Sequence, residues 1–192
     1  MEKVIVNKKT RTVIYDTEKK IYKKYIRPKF KEKLKILFGL KRSHGKNAAF
    51  LSEFLRKNGV KTYEIISYTK YGYVTKEIEG KTLLESILEA KKDKKLVENY
   101  IEKYIEIVKK IVRLNVYYGD FYFNNLMINK NKEIYIIDID EMEFTLYSKI
   151  LKNKKVIPRL KQTLRIQFDR LKGYGVEIDI TAEEVFNKII SK

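Results

Sequence analysis

The chain of 192 residues has no cysteine and a single histidine, His44. The first absence excludes disulfides, a thiolate metal site and a cysteine nucleophile. It also fits a reducing compartment. The second removes most histidine-based metal and triad chemistry. No apolar run approaches the ~18 residues of a membrane-spanning helix. The start, MEKVIVNKKTRTV, lacks the apolar core of a secretory signal. A soluble, cytoplasmic chain is therefore expected. Internal repeats, low-complexity tracts and an obvious linker are also missing.

Acidic residues are scarce beside basic ones. There are 25 Asp and Glu against 43 Lys and Arg, a formal net charge of +18. Such a field attracts polyanions: nucleic acid, phosphorylated small molecules or an anionic membrane surface. An AT-biased genome inflates Lys, Ile, Asn and Tyr in the same way, so charge alone does not choose a partner. Hydrophobic residues make up 44% of the chain, enough for a sizeable core. The length suits one domain with room for two lobes.

Three short runs rich in β-branched and aromatic residues open the chain: Val4–Val6, RTVIYD and IYKKYI. Polar turns separate them, which predicts an antiparallel meander. Pro28 closes that unit. FKEKLKILFGL then carries Phe30, Leu34, Leu37 and Phe38 at helical spacing, and KNAAFLSEFLRKNG carries Phe50, Leu51, Phe54 and Leu55 on one face. Two β-like runs follow, and the Glu77–Gly80 stretch reads as a hinge. KTLLESILEA is a short predicted helix. The next helix is long, with a stripe of Val97, Ile101, Tyr104, Ile105, Val108, Ile111 and Val112. Basic helices are expected at the end of the chain.

YYGDFYFNNLMINKNKEIYIIDIDEME, from Tyr117 to Glu143, is the informative stretch. Asp120 follows Gly119, and Asn125 comes five residues later. LMI, a turn NKNKE and IYIID then form a predicted hairpin ending at Asp138. A hairpin returns its end to its beginning, so Asp138 should lie beside Asn125, with Asp120 close by. One carboxylate would accept a proton while Asn125 and Asp138 hold a hard cation. Carboxylate and amide oxygens suit Mg²⁺, which completes its shell with water and phosphates. That is the layout of a phosphoryl-transfer site, where positioning and charge neutralisation do most of the work. The plain alternative is a turn with Asx caps, but the preceding helix, the apolar hairpin and the Asp-Ile-Asp strand end argue against it.

GDFYFNN followed by IYIIDID resembles the catalytic loop and metal-binding aspartate of the protein-kinase-like superfamily. IYKKYI resembles its third strand with the phosphate-binding lysine. More narrowly, KKYIRPKFKEK, KEIEG and the GD…N loop leading to IIDI resemble the lipopolysaccharide core heptose kinases, over roughly residues 4–145. The resemblance implies an α+β, protein-kinase-like two-lobe fold. Residues 1–79 would form a small N-lobe with an antiparallel sheet and helices, and 80–192 a mainly helical C-lobe. It implies an ATP-dependent kinase acting on a sugar hydroxyl, with Asp120 as catalytic base, Asn125 and Asp138 as Mg²⁺ ligands and Lys24 on the nucleotide phosphates. Lys23 is the rival, because neighbours on a strand point to opposite faces. Lys24 is favoured by its spacing to Pro28-Lys29. Asp140 is either a second metal ligand or a solvent-facing residue.

The implied partner is lipopolysaccharide core or another phosphorylated sugar, met at the inner face of the cytoplasmic membrane, where a basic protein would bind peripherally. Nothing resembles an RNA-recognition signature. Two other readings stay open. One is another small kinase-like phosphotransferase, of the antibiotic or RNA-modification-associated type. The other is a non-catalytic basic binding module on a kinase scaffold. The sequence departs from the family at three points. The first turn, NKKT, has no glycine, so phosphate contact there would fall to backbone N–H groups, Asn7, Thr10 or lysines. Tyr118 stands where a histidine or arginine is usual. A helical glutamate partner for the lysine is not evident, since Glu53 lies off the apolar face. His44 reads as a loop residue at the surface or against substrate.

Overall fold

The structure, a computed structural model, describes residues 1–114, 116–140, 142 and 152–191. Its contacts divide the chain into two compact units. One is Met1–Lys57 with Thr62–Ile78, the other Asn58–Lys61 with Glu79–Lys192.

The first unit is built on β1 (Glu2–Asn7), β2 (Arg11–Asp16), β3 (Ile21–Ile26), β4 (Ile65–Tyr68) and β5 (Gly72–Lys76). They form one antiparallel sheet in the order β1-β2-β3-β5-β4. The meander read from the sequence is present, and its turns are closed locally. Lys8 and Arg11 exchange backbone hydrogen bonds across the first turn (2.8 and 3.3 Å). At the second, the Asp16 carboxylate accepts the N–H groups of Glu18 and Lys19, both at 3.1 Å. These bonds hold Asp16 below its ordinary 3.8, with the Lys19 bond the largest cause.

Two helices, α1 (Phe30–Leu37) and α2 (His44–Lys57), interrupt the strands. In α2, Leu51 and Leu55 are fully buried. Most of the expected apolar stripe of α1 faces outward, and only Leu34 of its four residues is half-buried. Phe30, Leu37 and Phe38 are exposed, whereas Ile36 is buried and Glu32 is half-buried. Amphipathic spacing identifies a helix but does not say which face is covered. His44 is not in a loop. It opens α2, its side chain is 12% exposed, and Nε2 lies 3.4 Å from Glu32 Oε1.

The second unit contains β6 (Gly80–Thr82), α3 (Leu83–Glu89), α4 (Lys94–Arg113), β7 (Leu126–Asn129), β8 (Ile134–Ile136), α5 (Ile157–Gly173) and α6 (Ala182–Ile190). A 3₁₀ turn, Phe123–Asn125, precedes β7, and a π-turn, Lys152–Val156, precedes α5. All seven residues of the predicted α4 stripe are buried. Helices α3 and α6 start with reciprocal capping boxes, Thr82 with Glu85 and Thr181 with Glu184. Strand β6, three residues long, is too short to show a period in the sequence. It pairs with β7, which places Gly80 opposite Asn129. A Cβ on Gly80 would run into the carbonyl of Ile128. Gly80, read from the sequence as part of a hinge, is thus held in a sheet by close backbone approach. Among the described residues, no helix is long and apolar enough to cross a membrane.

Candidate functional site

The loop Gly119–Asn125 and the β7–β8 hairpin form the site. The hairpin turns on Asn129, whose Oδ1 accepts the N–H groups of Asn131 (3.0 Å) and Glu133 (2.9 Å) while its Nδ2 donates to Glu133 (2.8 Å). Lys132 takes the left-handed conformation that closes the turn, with φ 58°. Register then follows: Leu126 faces Ile136, Met127 faces Tyr135 and Ile128 faces Ile134. One step further, the N–H of Ile137 donates to the carbonyl of Asn125 at 2.9 Å. Asp138 is the next residue. The hairpin therefore returns Asp138 to Asn125, as the spacing predicted. A further strand-like contact joins this sheet to residue 61, since Lys61 accepts from the N–H of Ile136 (2.9 Å).

Asp120 and Asn125 are joined within the loop. The Asp120 carbonyl accepts Nδ2–H of Asn125 (2.9 Å) and the N–H of Tyr122 (2.8 Å). Asp120, Asn125, Asp138 and Asp140 are all half-buried, while Ile139 and Met142 beside them are fully buried. The donor set is one amide oxygen and carboxylates, which is hard-cation chemistry. Among the described residues no three His, Cys, Asp or Glu side chains converge on one point. A Mg²⁺ ion shared between one or two carboxylates and phosphates does not require such a cage.

Tyr118 occupies the centre of this cluster. It is 1% exposed, and its ring packs edge-on against Phe121 with centroids 4.8 Å apart. Burial pushes its hydroxyl well above the ordinary 10, and the nearby charges of Asp138 and Asp120 push it further. The Asn125 side chain is close enough to act in the opposite sense. Even so, the hydroxyl makes no well-formed hydrogen bond among the described residues. Tyr118 therefore stays neutral, and its ring contributes to the loop by packing against Phe121.

Helices α4 and α5 hold the loop from behind, and the sequence reading missed this. Gln167 of α5 is 4% exposed. Its Oε1 accepts the N–H of Phe123, and its Nε2 donates to the carbonyl of Phe121 at 3.1 Å. Tyr104 of α4 donates to that same carbonyl (2.9 Å), and its ring meets Phe123 edge-on at 4.9 Å. Arg159 Nε donates to the carbonyl of Gly119 (2.8 Å) and its stem lies against Gly119, where a Cβ would come within 3.0 Å. The available signal was a glutamine in the apolar phase of α5, between Leu160, Leu164, Phe168 and Leu171. A shallow recess beside the loop is lined by Leu84, Tyr122, Phe123, Asn124, Gln167 and Arg170.

Lys23 and Lys24 lie in the first unit. Lys23 pairs with Glu2 at 2.5 Å. Lys24 faces Tyr73 in the register, and its Nζ is 5.9 Å from that ring. Tyr73 is buried, stacks on Tyr63 and bonds its hydroxyl (3.0 Å). Ser52 of α2 donates to the Tyr63 carbonyl. Lys24 thus shares the face of the sheet that α2 covers, with Tyr15 and Tyr22 stacked on it at 4.7 Å. Glu53 is exposed and pairs with Lys57. In the glycine-free first turn, Asn7 accepts from Thr12, and the N–H groups of Lys8 and Arg11 are used within the turn.

No protein-family model matches the chain, and no curated protein matches its sequence. Among solved structures, it is similar to the Rio2 kinase of Chaetomium thermophilum in its ADP/Mg²⁺–phosphoaspartate complex, with a TM-score of 0.54 and 13% identity. The match covers 97% of this chain and 64% of that one, so the chain spans less than two thirds of its neighbour's length. At that identity the likeness carries architecture and not activity: the chain has an α+β, protein-kinase-like fold.

Proposed function

We propose that the chain is an ATP- and Mg²⁺-dependent phosphotransferase acting on a sugar hydroxyl, with a heptose of the lipopolysaccharide core as acceptor. The observation that carries the phosphotransfer reading is the bond from Ile137 N–H to the carbonyl of Asn125, which puts Asp138 beside a residue already tied to Asp120. Asp120 would take the proton of the acceptor hydroxyl. Asn125 and Asp138 would hold the ion, and Lys24 would meet the nucleotide phosphates. Bound there, Mg²⁺ would neutralise charge on those phosphates. Residues 1–79 would be the nucleotide-binding lobe and 80–192 the lobe with the catalytic loop. The kinase to which the fold is similar was captured with ADP and Mg²⁺, which supports the choice of cofactors.

The heptose rests on the sequence resemblance in KKYIRPKFKEK, KEIEG and GDFYFNN. The charge of +18 suits an anionic, phosphorylated glycolipid at the inner membrane face better than a neutral acceptor. Tyr122 and Arg170 give the recess beside the loop an aromatic face and a cation, which suits a phosphorylated sugar. A second reading, another small kinase of the same superfamily, is favoured by the similarity to Rio2 kinase.

The test is incubation of the purified chain with ATP, Mg²⁺ and core oligosaccharide, followed by mass spectrometry. The expected product is heavier by one phosphoryl group. Asp120→Ala should lower the rate about 10²–10⁴-fold while Mg-ATP still raises the melting temperature. Lys24→Ala should lose nucleotide stabilisation and Lys23→Ala should keep it. Transfer to a protein or small antibiotic in place of the oligosaccharide would select the second reading. Absence of transfer to any of them would leave a non-catalytic basic module.

A further inference from the structure

Helix α1 and its C-terminal cap are a surface built for something other than this chain's core. The helix turns Glu32 and Ile36 inward, and Glu32 pairs with Lys41 at 2.8 Å. Phe30, Leu34 and Leu37 recur at i, i+4 and i+7 and so share one face. Phe30 and Leu37 on that face are 73% and 69% exposed. The helix ends in a left-handed cap: Gly39 has φ 72°, its N–H donates to Ile36 (3.3 Å), and the N–H of Leu40 donates to Lys35 (2.9 Å). In such a cap the apolar residue after the glycine ordinarily folds back on the last turn. The residues it would meet here are Lys35 and the half-buried Leu34, yet Leu40 stands 78% exposed beside Phe38 at 72%.

The rim of this apolar set is basic. Lys29, Lys31, Lys33 and Lys35 are all exposed. Residues 27–46 contain eight Lys or Arg and one acid, and that acid is the inward-turned Glu32. Apolar side chains that protrude, with lysines around them, match the boundary between acyl chains and anionic headgroups. There lysine stems lie along the apolar layer and their ammonium groups reach the phosphates. A protein partner fits less well, because interface cores are depleted in lysine. Nucleic acid fits less well, because most of its contacts go to phosphate and sugar, which Leu37, Phe38 and Leu40 do not bind.

We propose that α1 and the Phe38–Leu40 cap dock the protein on a membrane surface carrying anionic phospholipid, with Leu37, Phe38 and Leu40 entering the headgroup layer. The inference stands apart from the phosphotransfer reading, since none of these residues belongs to the candidate site. The test is flotation with vesicles of phosphatidylcholine alone and of phosphatidylcholine with phosphatidylglycerol. The wild-type chain should float with the anionic vesicles only, and less so as salt rises. Substituting Leu37→Ser, Phe38→Ser and Leu40→Ser together should cut that partition by at least about tenfold, with an unchanged melting temperature because all three are exposed. Changing Lys29, Lys31, Lys33 and Lys35 to Gln should cut it by a similar factor. Phosphoryl transfer to a soluble acceptor should be the same in the triple-serine variant as in the wild type. Equal partition of the wild type and the triple-serine variant would overturn the proposal. So would a wild-type dimer in sedimentation that the serines convert to monomer without changing vesicle binding, since the face would then serve self-association.

Discussion

Tyr118 is the residue where this chain differs most from the pattern it resembles. A buried hydroxyl without a partner costs free energy that a phenyl ring would not. Its neighbours, the carboxylates of Asp120 and Asp138, discourage ionisation, so it supplies no charge to the loop. What it supplies is volume: its ring fills the space against Phe121. Two substitutions separate these contributions. Tyr118→Phe keeps the ring and removes an oxygen that makes no well-formed hydrogen bond among the described residues, and should leave stability unchanged or raise it by up to about 1 kcal/mol. Tyr118→Ala should cost about 3–5 kcal/mol, the range for emptying a buried aromatic site. Urea melts of the three proteins measure both. A marked loss of stability in Tyr118→Phe would mean that the hydroxyl has a partner in solution.

Among the elements, α5 has the largest influence on the loop. It holds three of the loop's backbone groups: Gly119 through Arg159, and Phe121 and Phe123 through Gln167. Backbone atoms fixed from behind give Asp120 and Asn125 a set direction, which is what a phosphoryl-transfer site needs. Gln167→Met keeps the length of the side chain and removes both hydrogen bonds. The Phe121 carbonyl would still have Tyr104, but the N–H of Phe123 would be buried and unpaired. The expected loss is about 1–3 kcal/mol. On the phosphotransferase reading proposed above, a clamp that positions the loop would lower kcat in the folded protein while KM for nucleotide changes little. If Gln167 is only core packing, the folded fraction keeps full kcat, and single-turnover rates below the melting transition will show which holds.

For the whole molecule, legibility in the sequence followed the range of the interactions. The meander, the α4 stripe and the return of Asp138 to Asn125 rest on period and turn chemistry within a few residues, and each could be read. Gln167 and Arg159 act on residues 40 or more positions away, so no local pattern announces them. The outward face of α1 was hidden for a related reason: periodicity shows a stripe and leaves its environment open. Net charge is the property that composition gives outright, and it leads to a prediction about stability. The ion pairs are mostly exposed, and each stabilises little. Self-repulsion at +18 acts over the whole surface. Salt screens both, and the repulsion is the larger, so the melting temperature at neutral pH should rise with ionic strength, by about 3 °C between low and physiological salt. Acid acts in the opposite direction. Glu53, Glu133 and Glu183 sit below their ordinary 4.5 because of hydrogen bonds to lysine, those of Glu53 to Lys57, Glu133 to Lys61 and Glu183 to Lys161. A depressed carboxylate contributes stability above its unfolded pKa and loses it as pH falls through the folded value. The melting temperature should therefore hold from pH 8 to about 5 and drop below about 4.5, where the remaining 43 Lys and Arg charges are no longer offset. Thermal melts followed by circular dichroism across pH and salt test both arms. A melting temperature that falls as salt is added at pH 7 would show that specific ion pairs outweigh net repulsion in this chain.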